Sequence, residues 1–260
     1  MQQTEKTKQP KKFAVIYIPG VLMLRKSVNP IRAYIRHILA DHDLETRTWE
    51  WNPFRSKEES LDQLNEMLNK IPNIVDRKLI IVGESYGLDL AVEFRQRFSL
   101  DSLIVGSSPG PAMLYPTLLE RRAQALEDRK FSPEFLNNNA GRALIRNWFK
   151  WDDTTYVHPS PYMEQKDLII FTGVACENPN PTNQTSLTQD HIALMQNYPG
   201  IMSVNFDGVG HRVLRDLAPL IALTCQPYML VPDLQPRGHF RLPNVQDNQL
   251  YHPMSGPYSE

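Results

Sequence analysis

Gly83-Glu84-Ser85-Tyr86-Gly87 follows directly on the apolar run at 78–82 and opens a helix-like stretch from 86 to 98. A serine between two glycines at a strand-to-helix junction has a specific chemical use. The turn is so sharp that the serine takes a strained backbone conformation, and side chains at 83 and 87 would collide with neighbouring elements. The Ser85 hydroxyl is thereby raised above the carboxyl end of a sheet, at a helix N-terminus whose partial positive charge favours a developing anion.

A serine hydroxyl is a weak nucleophile near neutral pH and needs a base within hydrogen-bond reach. Of seven histidines, His211 is the one in a suitable place. It ends Phe206-Asp207-Gly208-Val209-Gly210-His211, after the apolar run at 201–206 and before the last helical stretch at 212–225. The glycines let that loop swing an imidazole over the carboxyl edge of a sheet. His37 and His42 flank a helix end, His158 lies in a long excursion, His191 sits within a helical stretch, and His239 and His252 fall near the C-terminus.

These two residues need a scaffold, and the hydrophobic pattern describes one. Apolar runs at 13–18, 78–83, 101–107, 167–173 and 201–206, with the alternating segment 44–51, read as six strands. Helical stretches lie between them. Asn29-Pro30 starts the first, with Ile31, Ile35, Ile38 and Leu39 on one face. Ser56-x-x-Glu59 is a capping box for the second, whose stripe is Leu61, Leu64, Leu68 and Ile71. Strands alternating with helices of this length imply right-handed βαβ crossovers and a mostly parallel, doubly wound α/β sheet of about six strands.

Two regions break the alternation. Residues 109–166 hold short helical segments and the aromatic and basic stretch 141–151, and read as a helical cap inserted between strands. Residues 227–260 carry six of the chain's 21 prolines and no periodicity, and read as an irregular C-terminal tail. Residues 1–12 are expected to be disordered, leaving 13–226 as the folded domain.

Composition removes several classes of function. The 260 residues carry 28 basic and 29 acidic side chains, a net charge of −1 that argues against a nucleic-acid partner. No apolar run reaches the roughly 20 residues of a membrane span. Cys176 and Cys225 lack the spacing of a metal or redox motif, so neither a cofactor nor a metal is expected. Without a signal-peptide pattern at the N-terminus, the expected compartment is the cytoplasm. Nothing in the pattern sets an oligomeric state.

A glycine-flanked serine after a central strand, inserted helices after the next strand and Gly-x-Gly-His after the last resemble the α/β-hydrolase superfamily over residues 13 to about 225. The resemblance is specific for the superfamily and says little of the subfamily. It implies the order serine, acid, histidine along the chain, with an oxyanion hole of two backbone N–H groups. One would be that of Tyr86. The other would be that of Val21, in Pro19-Gly20-Val21, where many relatives carry His-Gly-x. The implied acid is Glu177, the first carboxylate after the strand at 167–173, with Asp207 and Asp190 as alternatives. Leu88 departs from the glycine that many relatives carry after the elbow.

The implied activity is cleavage of a small-molecule carboxylic ester or thioester by a serine hydrolase, through an acyl-enzyme on Ser85 with His211 as general base. The alternatives are the same fold binding a ligand or partner without turnover, and acyl transfer to an acceptor other than water.

Overall fold

The computed structural model describes residues 10–20, 28–52, 54–107, 139, 167–174, 200–207, 213–231 and 233–242. Within these, the strands are β1 (Lys12–Ile18), β2 (Asp43–Thr48), β3 (Lys78–Glu84), β4 (Ser102–Ser107), β5 (Leu168–Val174), β6 (Met202–Asp207) and β7 (Gly238–Leu242). The helices are α1 (Asn29–Ile38), α2 (Lys57–Asn69), α3 (Tyr86–Arg97), α4 (Val213–Asp216) and α5 (Ala218–Leu230). The strands form one sheet in the order β2-β1-β3-β4-β5-β6-β7, and every adjacent pair is parallel.

Parallel strands need helical cover on both faces, and the burial follows from that. In β1 every residue from Phe13 to Ile18 is fully buried, alternate side chains entering opposite cores. One core takes Val15, Tyr17, Val82 and Val105 under α1, α4 and α5. The other takes Ile16, Ile81 and Ile104 under α2 and α3. This explains why the inner strands read as unbroken apolar runs, while the edge strand β2 is half-buried along most of its length.

The local signals mostly produce what their chemistry requires. The Glu59 amide donates to Ser56 Oγ at 3.1 Å and the Ser56 amide to Glu59 Oε2 at 2.7 Å, completing the capping box of α2. Leu61, Leu64, Leu68 and Ile71 are all buried. In α1 the boundary moves by one residue. Val28, buried against the core, is the N-cap, and Asn29 lies inside the first turn without capping it.

Two features differ from the sequence reading. The sheet has seven strands among the described residues, because β7 lies in the stretch read as an irregular tail and pairs with β6 from Met202↔Gly238 to Phe206↔Leu242. An edge strand needs only one neighbour and a backbone ladder, and GHFRL has too few apolar residues to announce itself. The last helical stretch is also two helices, broken at Leu217, and the second runs past 225 to Leu230 with Pro227 inside its final turns. The cap at 109–166 lies outside the described residues apart from Asn139, as do residues 1–9, the helical stretch around His191 and residues 243–260.

Candidate active site

Ser85 sits between β3 and α3 with φ 54° and ψ −127°, a left-handed conformation that L-residues other than glycine rarely adopt. That strain is held in place from three sides. The Ser85 amide donates to the carbonyl of Ser107 at the end of β4, at 2.9 Å. The Leu88 amide donates to the Ser85 carbonyl at 2.9 Å, closing the first turn of α3. The third restraint is close packing around the flanking glycines. A Cβ on Gly83 would stand 2.7 Å from the Leu88 Cα, and one on Gly87 would stand 2.2 Å from the Ile18 carbonyl oxygen and 2.6 Å from that of Pro19. Neither neighbour can give way, since the blocking atoms are backbone. Ser85 and Tyr86 remain partly exposed while Gly83, Glu84, Gly87 and Leu88 are buried, so the turn presents its serine and the residue after it.

Leu88 has a specific partner. It is fully buried, and a Cβ on Gly106 in β4 would lie 2.4 Å from its Cδ1. The side chain at 88 occupies the space that glycine leaves at 106, so α3 approaches the sheet closely despite lacking a glycine of its own there.

The loop after β1 is anchored next to this turn. Gly87 packs on the carbonyls of Ile18 and Pro19, and the Trp51 indole N–H donates to the Pro19 carbonyl. Trp51 meets Trp49 edge-on, with ring centroids 4.9 Å apart and planes at 72°. Trp49 is buried and donates its own indole N–H to Gln63 Oε1 at 3.2 Å. The tryptophan pair thus ties the exit of β2 to α2 and to the exit of β1. The Pro19 contact could not be read locally, because residues 51 and 19 are distant in the chain.

The all-parallel sheet brings the carboxyl ends of β3, β5 and β6 to a single edge. β5 ends at Val174, three residues before Glu177, and β6 ends at Asp207, four before His211. Val174 and Asp207 are register partners, so the two strands end side by side. Below them the buried Thr172 hydroxyl donates to Asn205 Oδ1 at 2.8 Å, bridging the two strands. Val21, Glu177, Asp190 and His211 lie outside the described residues, and of Asp207 only the backbone is described. Two buried carboxylates escaped the sequence reading: Glu84, immediately before Ser85, and Asp89 in the first turn of α3. The only signal for Glu84 was a charged residue closing an otherwise apolar strand.

Among the described residues no group of three or more His, Cys, Asp or Glu side chains is placed to hold a metal ion. No helix among them is long and apolar enough to cross a membrane.

No family model matches the chain, and a search of curated proteins finds no related sequence. Solved structures do resemble it. An epoxide hydrolase from an endophytic Streptomyces superposes with a TM-score of 0.53 at 9% identity, over 91% of this chain and 94% of its own. An alpha/beta hydrolase enzyme from the metagenome of Mar Chica lagoon sediments, Morocco, gives 0.51 at 13% identity, over 84% and 91%. A lipase-esterase related protein from Clostridium acetobutylicum gives 0.50 at 10% identity, over 84% and 95%.

Proposed function

The chain has the α/β-hydrolase fold, and on that fold we propose that it is a serine hydrolase cleaving a small-molecule carboxylic ester or thioester. The observation that carries this reading is the backbone of Ser85. A non-glycine residue is held at φ 54° between two glycines whose close approach to neighbouring backbone fixes the turn, and it stands partly exposed at the start of α3. Strain of this kind persists where the surroundings over-determine it, and here it aims one hydroxyl at the carboxyl edge of the sheet.

In the proposed reaction Ser85 Oγ attacks the substrate carbonyl while His211 takes the hydroxyl proton. Glu177 accepts a hydrogen bond from the imidazole and fixes its tautomer, with Asp207 and Asp190 as the alternative acids. The backbone N–H groups of Tyr86 and Val21 bind the oxyanion of the tetrahedral intermediate. Two such donors, fixed before the reaction starts, stabilise developing charge without reorganisation. His211 then gives its proton to the departing alcohol or thiol, leaving the acyl group on Ser85. Water attacks that ester, His211 takes the water's proton and returns it to Ser85 Oγ, and the carboxylic acid leaves.

The topology supports the assignment of roles, since Ser85, the chain leading to Glu177 and the chain leading to His211 all start from one sheet edge. The lipase-esterase related neighbour is consistent with carboxylic esters as the substrate class. Hydrolysis of p-nitrophenyl esters of increasing acyl length tests the proposal. Turnover by the parent chain and its loss in Ser85→Ala support it. Turnover that survives Ser85→Ala contradicts it.

A further inference from the structure

A second cluster of polar groups lies across the sheet from α3, between α1 and the β2 edge. Tyr17 on β1 and Thr48 on β2 are register partners, and Thr46 is two residues back on the same face of β2. Arg32 and Arg36, one turn apart on α1, both reach Thr46 Oγ1, at 3.3 and 3.5 Å. These bonds are at the long limit for N–H···O contacts, so neither guanidinium is committed to that hydroxyl.

Three atoms of the cluster are buried and, among the described residues, have no hydrogen-bond partner: Tyr17 Oη, Thr48 Oγ1 and Arg32 Nε. Buried polar groups are paired in the great majority of cases, so three orphans in one place call for an explanation. Tyr17 is fully buried; desolvation raises its phenol pKa, and the charges of Arg32 and Arg36 act in the opposite direction.

The nearby acids do not neutralise them. Asp43 pairs with Arg77 at 2.9 Å and Glu45 with Arg47 at 3.0 Å. Glu45 also alternates to the other face of β2 from Thr46. Among the described residues neither Arg32 nor Arg36 forms an ion pair. What remains among the described residues is a set of hydrogen-bonding groups carrying two positive charges, with the Thr46 hydroxyl accepting from the guanidiniums only at long distance.

The donors come from two layers, the helix on one side and the two strands on the other. A planar carboxylate presents its oxygens in one plane, whereas a tetrahedral oxyanion presents them toward both layers. Guanidinium groups match phosphate oxygens in paired hydrogen bonds. We propose that Tyr17, Thr48, Arg32 and Arg36 form a binding site for a phosphate group, separate from Ser85. The site recognises the phosphoryl group itself, whether free phosphate or a phosphate monoester.

Isothermal titration of the full-length chain with inorganic phosphate, against chloride at matched ionic strength, tests this. Saturable binding with chloride inert is the expected result, accompanied by a rise in melting temperature with phosphate concentration. Tyr17→Phe preserves the core volume and removes only the hydroxyl, and Thr48→Val does the same on β2. Each is expected to melt no lower than the parent in chloride and to weaken phosphate binding about tenfold, as does Arg32→Gln. Ser85→Ala is expected to bind phosphate as the parent does, which keeps this outcome independent of the proposed hydrolysis. Glycerol phosphate distinguishes the sources, since tighter binding than inorganic phosphate assigns the site to a monoester and equal or weaker binding to the free ion. An absence of phosphate-specific binding would overturn the proposal. So would binding that Tyr17→Phe, Thr48→Val and Arg32→Gln all leave unchanged.

Discussion

A Cβ placed on Gly87 would stand 2.2 Å from the carbonyl oxygen of Ile18. The first turn of α3 therefore lies directly on the exit of β1, and this contact holds the Ser85 turn against Ile18 and Pro19. Gly87→Ala forces backbone apart from backbone, at a cost of about 1–3 kcal/mol or more. The expected outcome is a lowered melting temperature together with disproportionate loss of esterase activity, measured by thermal unfolding and ester hydrolysis on the same preparation. Unchanged stability and activity would mean that this contact does not set the turn.

Leu88 and Gly106 form a second matched pair. Gly106→Ala drives a methyl group into the Leu88 side chain and is expected to cost about 1–3 kcal/mol. Leu88→Ala empties a fully buried site and is expected to cost about 2–5 kcal/mol. Because one change fills space that the other vacates, the double variant is expected to lose less than the sum of the two, as denaturant titration of all four forms would show. Simple additivity would contradict the pairing.

The strain at Ser85 predicts an opposite pairing of stability and activity. Glycine tolerates φ 54° without a Cβ penalty, so Ser85→Gly is expected to raise the unfolding free energy by roughly 1 kcal/mol while abolishing turnover. A variant both less stable and inactive would remove strain from the account of this turn.

Stability is expected to fall in mild acid through His239. Burial holds its imidazole below the ordinary value of 6.5, while its Nδ1 lies 2.7 Å from Ser203 Oγ in the neighbouring strand. The unfolded chain then binds the proton more readily than the folded one. This contribution is fully present above pH 6.5 and is lost as the pH drops through the window just below it. Urea midpoints at about pH 7.5 and about pH 5.5 should differ in the parent, and His239→Gln should narrow the difference.

The fold was legible where burial imposes a pattern. The runs at 13–18 and 78–83 became inner strands because helices cover both of their faces, and Ser56-x-x-Glu59 became a capping box because its hydrogen bonds are local. β7 was missed because an edge strand held by backbone pairing to β6 needs little apolar character. The conformation of Ser85 was readable from two glycines and a strand. The fit of Leu88 over Gly106 and the bond from Trp51 to Pro19 depend on residues distant in the chain, so no local pattern announced them.

The choice of acid is resolved by substitution. Glu177→Gln keeps shape and removes charge, and loss of the orienting carboxylate is expected to lower turnover about a thousandfold or more. Asp207→Asn and Asp190→Asn are expected to leave most of the activity. Turnover in all three is measured on one ester, and the variant with the large loss identifies the acid.

The nucleophilic role of Ser85 is tested most directly by covalent labelling of the intact chain with a fluorophosphonate, read by mass spectrometry. A hydrolase acting through this residue gains one adduct, located on Ser85 by peptide mapping and absent from folded Ser85→Ala. A folded parent chain that takes no label, or an adduct that persists in Ser85→Ala, contradicts that role.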